Sequence, residues 1–581
     1  MYLDAANQTP EPMRFVSLIF SKIGLLFALP ATLLLFHACN LQRDESAVGP
    51  GVKVELDSVY HAMNPMDLEF DSLEQVMIDS GLADLMEAYR AIRAYGMPNS
   101  APPALEFNPL PTGFTPPAPT PPIRWEIPEG VAMPVRDADL AFMSIPELAS
   151  LIRSGETSSL ELTRFFLDRL KQFDPLLHCV VTLTEEYALE RAEAMDRELA
   201  EGADRGILHG IPYGAKDLFS FPGYPTTWGA APYREQLLDE TAGVISRLEN
   251  AGAVLVAKTT LGALAMGDVW YADTTRNPWN PEEGSSGSSA GSASATAAGL
   301  LPFAIGTETW GSIVSPSTRC GTTGLRPTYG RITRAGAMAL SWSMDKVGPI
   351  CRSAGDCAIV FDALQGADPS DRSTIDAGFS YDGPADLSGL RIGYFKRAFD
   401  SGYEVSEMDK RSLKVLERLG AEMVPVELEN DTIPYRAMSI ILEAEAAAAF
   451  DDLTRSDRDS LLVAQHRYAW PNQFRTARYI PAVEYIQANR IRRTLIEDYH
   501  SRLKEFDVVV MPSFRGGDQL LATNLTGHPV VTVPNGFRDP DSPTSITFLG
   551  NLYDEGTVLA VAAAYQQATD HHLKRPPLFD E

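Results

Sequence analysis

Residues 277–328 read NPWNPEEGSSGSSAGSASATAAGLLPFAIGTETWGSIVSPSTRCGTTGLRPT, a run crowded with Gly and Ser where a core normally holds bulky side chains. A flexible linker has such a composition. This run, however, is broken by the helix-competent ASATAAG at 293–299 and the strand-like LLPFAI at 300–305, and linkers build no elements. Small residues here let backbones approach one another and leave N–H groups free to face an anionic centre.

On both sides of the run, helix and strand signals alternate. Short apolar stretches at Cys179–Leu183, Ala253–Ala257, Leu301–Ile305, Leu390–Phe395, Val508–Met511 and Val530–Val533 predict buried strands. Several are separated by amphipathic helices such as Glu186 to Glu201, and Ser158 with Glu161 forms a capping box ahead of Leu162, Phe166 and Leu170. The pattern predicts an α/β domain over 136–575 built on a mixed, largely covered sheet, followed by a tail at 576–581. Residues 96–134 hold 12 of the chain's 42 prolines, so 96–135 is expected to be an extended linker or a strap lying on the main body. The stretch 39–95 reads as a tether and small helical extension, with apolar residues at helical spacing from Phe70 to Tyr89.

The 581 residues carry 77 acidic against 49 basic side chains, a net charge of −28, which repels polyanions and sets nucleic acid aside as a partner. Five cysteines without a CxxC pair suggest neither a disulfide framework nor zinc, and nine histidines contain no HExxH. Cys320, Cys351 and Cys357 are read as small core residues, with one disulfide left open in an exported protein. Cys39 follows Met13-Arg14 and the uncharged run Ile23 to Phe36, too short for a full span and suited to an export signal. It resembles a bacterial lipoprotein signal, with Phe36 and His37 loosening the usual pattern before cleavage. Residues 1–38 are therefore expected to be a removed leader, Cys39 the lipidated residue, and the protein an exported envelope lipoprotein held at the membrane by that lipid.

A catalytic serine needs a base, and Lys216 in GIPYGAKD is flanked by Gly and apolar residues. Burial there penalises the charged ammonium and lowers its pKa toward the range where it accepts a proton. The combination of GIPYGAKD, GSSAGSASATAAG, GTETWGSIVSPS and CGTTGLRPT, reaching to TNLTGHP at 523–529, resembles the amidase signature family, and in its ETxGS form the peptide-amidase branch. The resemblance implies an α/β/α sandwich around a large mixed sheet. It also implies that Ser312 is the nucleophile, Ser288 the bridging serine after a cis peptide at Gly287, and Lys216 the base. The backbone N–H groups of Thr309, Trp310, Gly311 and Ser312 would form the oxyanion hole. Ser341, Trp342 and Met344, with Trp310, are expected at the substrate pocket, and Asp345 is expected to be structural. Glu308 and Trp310 stand where the family commonly has Asp and a small or acidic residue, and Ala290 where Gly is commoner.

The activity so implied is hydrolysis of a small-molecule or peptide amide, with neither metal nor cofactor and with the oligomeric state left open. Three other readings stay in view. One is the glutaminase subunit of a tRNA-dependent amidotransferase, which shares these motifs. Another is a binding protein on an inactive amidase fold, against which stands the presence of all three residues. The third is a Ser-His-Asp hydrolase centred on Ser289, since Gly287-Ser288-Ser289-Ala290-Gly291 matches GxSxG, with His528 as its base. That elbow requires a preceding strand, and residues 277–283 are expected to form none.

Overall fold

The computed structural model describes residues 85–88, 90–94, 97–514, 518–538 and 542–580. The chain divides into two units, Met1–Ala94 and Tyr95–Glu581. In the first, residues 85–88 and 90–94 are helical, in agreement with the periodicity read there. The segment expected to be a leader, Cys39 and the stretch up to residue 84 lie outside the described residues.

The second unit is built on eleven strands in one mixed sheet. In chain order they are β1 (Val180–Leu183), β2 (Pro212–Lys216), β3 (Val254–Thr259), β6 (Ala304–Glu308), β7 (Thr323–Arg326), β8 (Lys346–Cys351), β9 (Arg391–Phe395), β10 (Glu422–Val426), β11 (Val508–Pro512), β12 (Val530–Arg538) and β13 (Ser542–Gly550), while β4 (Arg276–Asn277) and β5 (Asn280–Gly284) pair apart from them. The spatial order is β1-β3-β2-β6-β8-β7-β12-β13-β11-β9-β10. Strands β3, β2 and β6 run parallel side by side, and β8 returns antiparallel to β6 with Glu308 opposite Lys346.

Successive residues of a strand point to opposite faces, and here they enter different cores. Val254 and Val256 of β3 join one cluster while Leu255 joins another, and Ala304 and Ile305 of β6 divide likewise. Both faces are therefore covered, which gives the α/β/α sandwich. Helices α1 (Ile145–Ser154), α2 (Ser159–Leu177) and α3 (Glu185–Ala200) precede or flank the first strands. Leu167 and Leu170 of α2 and Met195 of α3 pack with Val254 and Val256. The capping box at Ser158 and Glu161 is present, and Ser144 with Glu147 caps α1 in the same way. Between β5 and β6 runs α4 (Ala290–Ala297), all eight of its residues buried, and α5 (Val314–Cys320) follows β6. Further on, α6 (Ala354–Leu364), α7 (Ile440–Ala449), α8 (Ala482–Leu503) and α9 (Glu555–Thr569) complete the layers used below.

One expectation needs correcting. Residues 277–283 do take part in a short strand pair, because Arg276 pairs with Gly284 and Asn277 with Asn280. The main sheet excludes this pair, and four residues separate its end at Gly284 from Ser289.

The Pro-rich stretch from 97 to 135 is extended and lies on the second unit. Thr120 Oγ1 donates to Phe379 O at 2.7 Å and accepts from Phe379 N, Gly378 N donates to Pro117 O, and Trp125 Nε1 donates to Asp362. Its alternation places Ile123, Trp125 and Ile127 half-buried against the main core. The tail is also packed: Phe579 is buried beside Phe173, and Arg169 donates to its carbonyl. Cys179, Cys320, Cys351 and Cys357 are buried free thiols.

Candidate active site

Ligands of open α/β sheets bind beyond the carboxyl ends of parallel strands, and here β2 ends at Lys216 and β6 at Glu308. Every residue of β2 is buried, so Lys216 has no exposed surface. Its Nζ donates to Ser288 Oγ at 2.8 Å and to Thr307 Oγ1 at 2.8 Å. Burial lowers its pKa from 10.5 to about 7, outweighing the opposite pull of Asp345 and Glu308. A neutral amine on a serine hydroxyl is thus accessible near neutral pH.

Ser288 follows a cis peptide bond from Gly287 and is 1% exposed. The next residue fastens this loop to the following motif, since Ser289 N donates to Ser312 O at 3.1 Å. Ser312 itself is half-buried, so it retains access to solvent that Lys216 lacks. Lys216 and Ser288 thus meet through their side chains, and the backbone of Ser312 is tied to the residue that follows Ser288.

The turn bearing Ser312 is held from beneath. Glu308 accepts from the backbone N–H of Ile313 at 2.9 Å and of Val314 at 3.0 Å, while Arg326 Nη1 and Asn524 Nδ2 donate to its other oxygen at 2.7 and 2.8 Å. Burial alone would raise this carboxyl's pKa, yet Arg326 and the hydrogen bonds overcome it and bring it to about 2. Gly311, just before the serine, has φ +93°, a conformation that favours glycine over any residue with a Cβ. Thr309 Oγ1 donates to Asp345 Oδ1 at 2.6 Å, and Asp345 Oδ2 accepts from Leu340 N and Ser341 N. Asp345 is therefore a brace beneath this loop. Trp310 is half-buried and packs against the main core.

The expected pocket residues separate. Ser341 and Met344 have no exposed surface, and Ser341 Oγ is bonded to Glu445 at 2.6 Å, so both belong to the packing behind the site. Trp342 is half-buried, and its carbonyl accepts from Tyr329 and Arg334.

The serine elbow at Ser289 does not form. Ser289 Oγ donates to Thr307 O and accepts from Thr307 N, both at 3.1 Å, so its hydroxyl is spent on β6. His528 Nδ1 bonds Thr526 Oγ1 at 2.8 Å, and burial drives its pKa down to about 3. Thr307, which shares Lys216 with Ser288, escaped the reading of the sequence. Its role depends on β6 passing beside β2, and the motif GTET carries no mark of that.

Known proteins resemble the chain over most of its length. The amidase family model matches residues 161–559. A glutamyl-tRNA(Gln) amidotransferase subunit from Marinomonas sp. (strain MWYL1) is 34% identical over 486 residues, covering 75% of this chain and 98% of that protein. The subunit of the same name from Pseudomonas entomophila (strain L48) is 35% identical over 480 residues, covering 75% and 99%. Native peptide amidase from Stenotrophomonas maltophilia matches in structure with a TM-score of 0.69 at 30% identity, covering 76% of this chain and all of that one. By its motifs, its sheet and these relatives, the chain belongs to the amidase signature family and is an enzyme of the class that hydrolyses amide C–N bonds.

Proposed function

We propose that the protein hydrolyses carboxylic amides through a relay of Lys216, Ser288 and Ser312. The observation that carries the reading is the 2.8 Å bond from Lys216 Nζ, fully enclosed and with a pKa near 7, to Ser288 Oγ. Neutral Lys216 takes the Ser288 proton as Ser288 takes that of Ser312, so the base activates a nucleophile one hydroxyl away. Ser312 Oγ then bonds the amide carbon. The resulting oxyanion is held by the N–H groups of Thr309, Trp310, Gly311 and Ser312, each such donor being worth about 3 kcal/mol of barrier. When the C–N bond breaks, the leaving amine or ammonia takes the proton back from Lys216 through Ser288. Water repeats the sequence on the acyl-serine and releases the acid.

The half-buried Trp310 ring beside Thr309 and the likeness to a peptide amidase favour aryl or peptide amides as substrates. Identity with the amidotransferase subunits supports a second reading, a glutaminase working with tRNA-bound partners. The charge of −28 disfavours tRNA as a partner. The run Ile23–Phe36 before Cys39 further supports export and lipid anchoring at Cys39.

Ammonia release from primary amides, peptide amides and glutamine tests these readings together. Wild type is expected to turn over a peptide or aryl amide, while Ser312→Ala, Ser288→Ala and Lys216→Ala each lose at least about a thousandfold. Turnover of glutamine alone would favour the amidotransferase reading, and activity surviving in Ser312→Ala would sink the relay. In the same preparations Cys39→Ser should move the protein out of the membrane fraction; if it stays there, the lipid anchor is wrong.

A further inference from the structure

The Pro-rich strap lies outside residues 161–559, which match the family, yet one of its side chains reaches the bracing behind the active site. Asn99 Oδ1 accepts from Ala339 N at 2.8 Å and its Nδ2 donates to Ala339 O at 2.9 Å, so the side chain pairs with that residue as a neighbouring strand would. The same Nδ2 lies 3.3 Å from Ala449 O, the last residue of α7. A turn from Pro98 to Ala101 and half-burial fix the asparagine in place.

Ala339 sits in the segment that supports the reacting groups. One residue before it, Met338 N donates to Leu218 O at 3.0 Å, two residues past Lys216. The two residues after it, Leu340 and Ser341, donate their N–H groups to Asp345 Oδ2 at 2.8 and 3.0 Å, and Asp345 Oδ1 holds Thr309 Oγ1 at 2.6 Å. A second strap residue bears on the same segment, because the Phe107 ring covers the Arg492 guanidinium at 3.4 Å and Arg492 donates to Ser343 Oγ and O.

We propose that Asn99 is a positioning residue for the reaction, acting through Ala339, Leu340, Ser341 and Asp345 on the placement of Thr309. The assignment rests on reading residues 309–312 as the oxyanion loop. It gives the strap a role in turnover that a mere cover would not have. Displacing donors by a fraction of an ångström weakens the transition state more than the bound substrate, so the effect falls on kcat.

The test is steady-state kinetics of the full chain on the best amide of the panel. Asn99→Ala should lower kcat about tenfold with KM changed less than about twofold. Asn99→Asp keeps an acceptor for Ala339 N but turns a carboxylate oxygen toward the carbonyls of Ala339 and Ala449 where Nδ2 donated, so it should lose at least as much kcat as Asn99→Ala and serves where Asn99→Ala folds poorly. Thr120→Ala, which breaks a strap bond to Phe379 O away from this segment, should leave kcat as in wild type. In a Thr309→Val background, where the link to Asp345 is already cut, Asn99→Ala should cost nothing further. An unchanged kcat in Asn99→Ala, or a full additional loss on top of Thr309→Val, overturns the proposal. Activity retained by Ser312→Ala overturns instead the reading on which it rests.

Discussion

In the proposed relay Lys216 bears on both activity and stability. Since it accepts a proton only when neutral, kcat/KM should rise with pH and level off above about 7, the pKa that burial gives it. A flat profile from pH 5 to 9 would remove it as the base. The same shift has a second consequence, whose sign follows from linkage. Between about 7 and 10.5 the unfolded chain carries the proton and the folded chain does not, so stability rises with pH across that window, by at most ~1.4 kcal/mol per unit. Lys216→Met lacks this contribution. Its urea stability relative to wild type should therefore be greatest near pH 7 and shrink toward pH 10, while turnover is absent throughout. Lys216, Ser288 and Ser312 were legible because their motifs survive in linear order. Thr307 and the links from Asp345 and Glu308 were not, since each joins segments that only folding brings together.

At the scale of elements, β6 shows why the Gly/Ser run is so poor in bulk. Ser289 Oγ lies against the strand and bonds the backbone N–H and C=O of Thr307, and a Cβ on Gly306 would fall 2.6 Å from that oxygen and 2.8 Å from Ser289 Cβ. Neither side can yield, because Ser289 also donates its N–H to Ser312 O. Gly306→Ala should thus destabilise the protein by about 2 kcal/mol, the range of core overpacking, and lower kcat by moving Ser288 and Ser312 apart. Calorimetry with kinetics checks both, and a variant as stable and active as wild type would show this contact to be soft. The six apolar runs became strands with ends shifted by a few residues, while β2, β7, β8, β10 and β13 went unread. Their sequences carry Gly, Pro, Lys or hydroxyl residues that hydropathy counts as loop. In β13, for example, Thr547 is buried and satisfied by Thr532 at 2.9 Å across the ladder, so a polar residue sits in the core without an orphaned group.

For the whole molecule, the informative boundary lies at either end of the strap. Proline content alone allowed a linker or a strap, and the alternation of Ile123, Trp125 and Ile127, which the structure turns inward, went unread in the sequence. Half-burying these three side chains together with Leu110 and Phe114 is worth roughly 5 kcal/mol, at about half of 1.5–3 kcal/mol each. The strap adds polar anchors at Thr112 on Glu497, Thr120 on Phe379 and Trp125 on Asp362. A chain beginning at Tyr95 keeps all of these and should retain the turnover and the thermal inactivation rate of the full chain. One beginning at Arg136 loses the cover and Asn99 together, so it should inactivate faster on heating and also show reduced kcat at a temperature where it is still folded. The two losses have different causes and can be told apart, because Asn99→Ala in the longer chain should reproduce the drop in kcat while keeping most of the strap's cover and its resistance to heat. If the chain from Arg136 matched the longer one in both respects, the strap would contribute neither packing nor position.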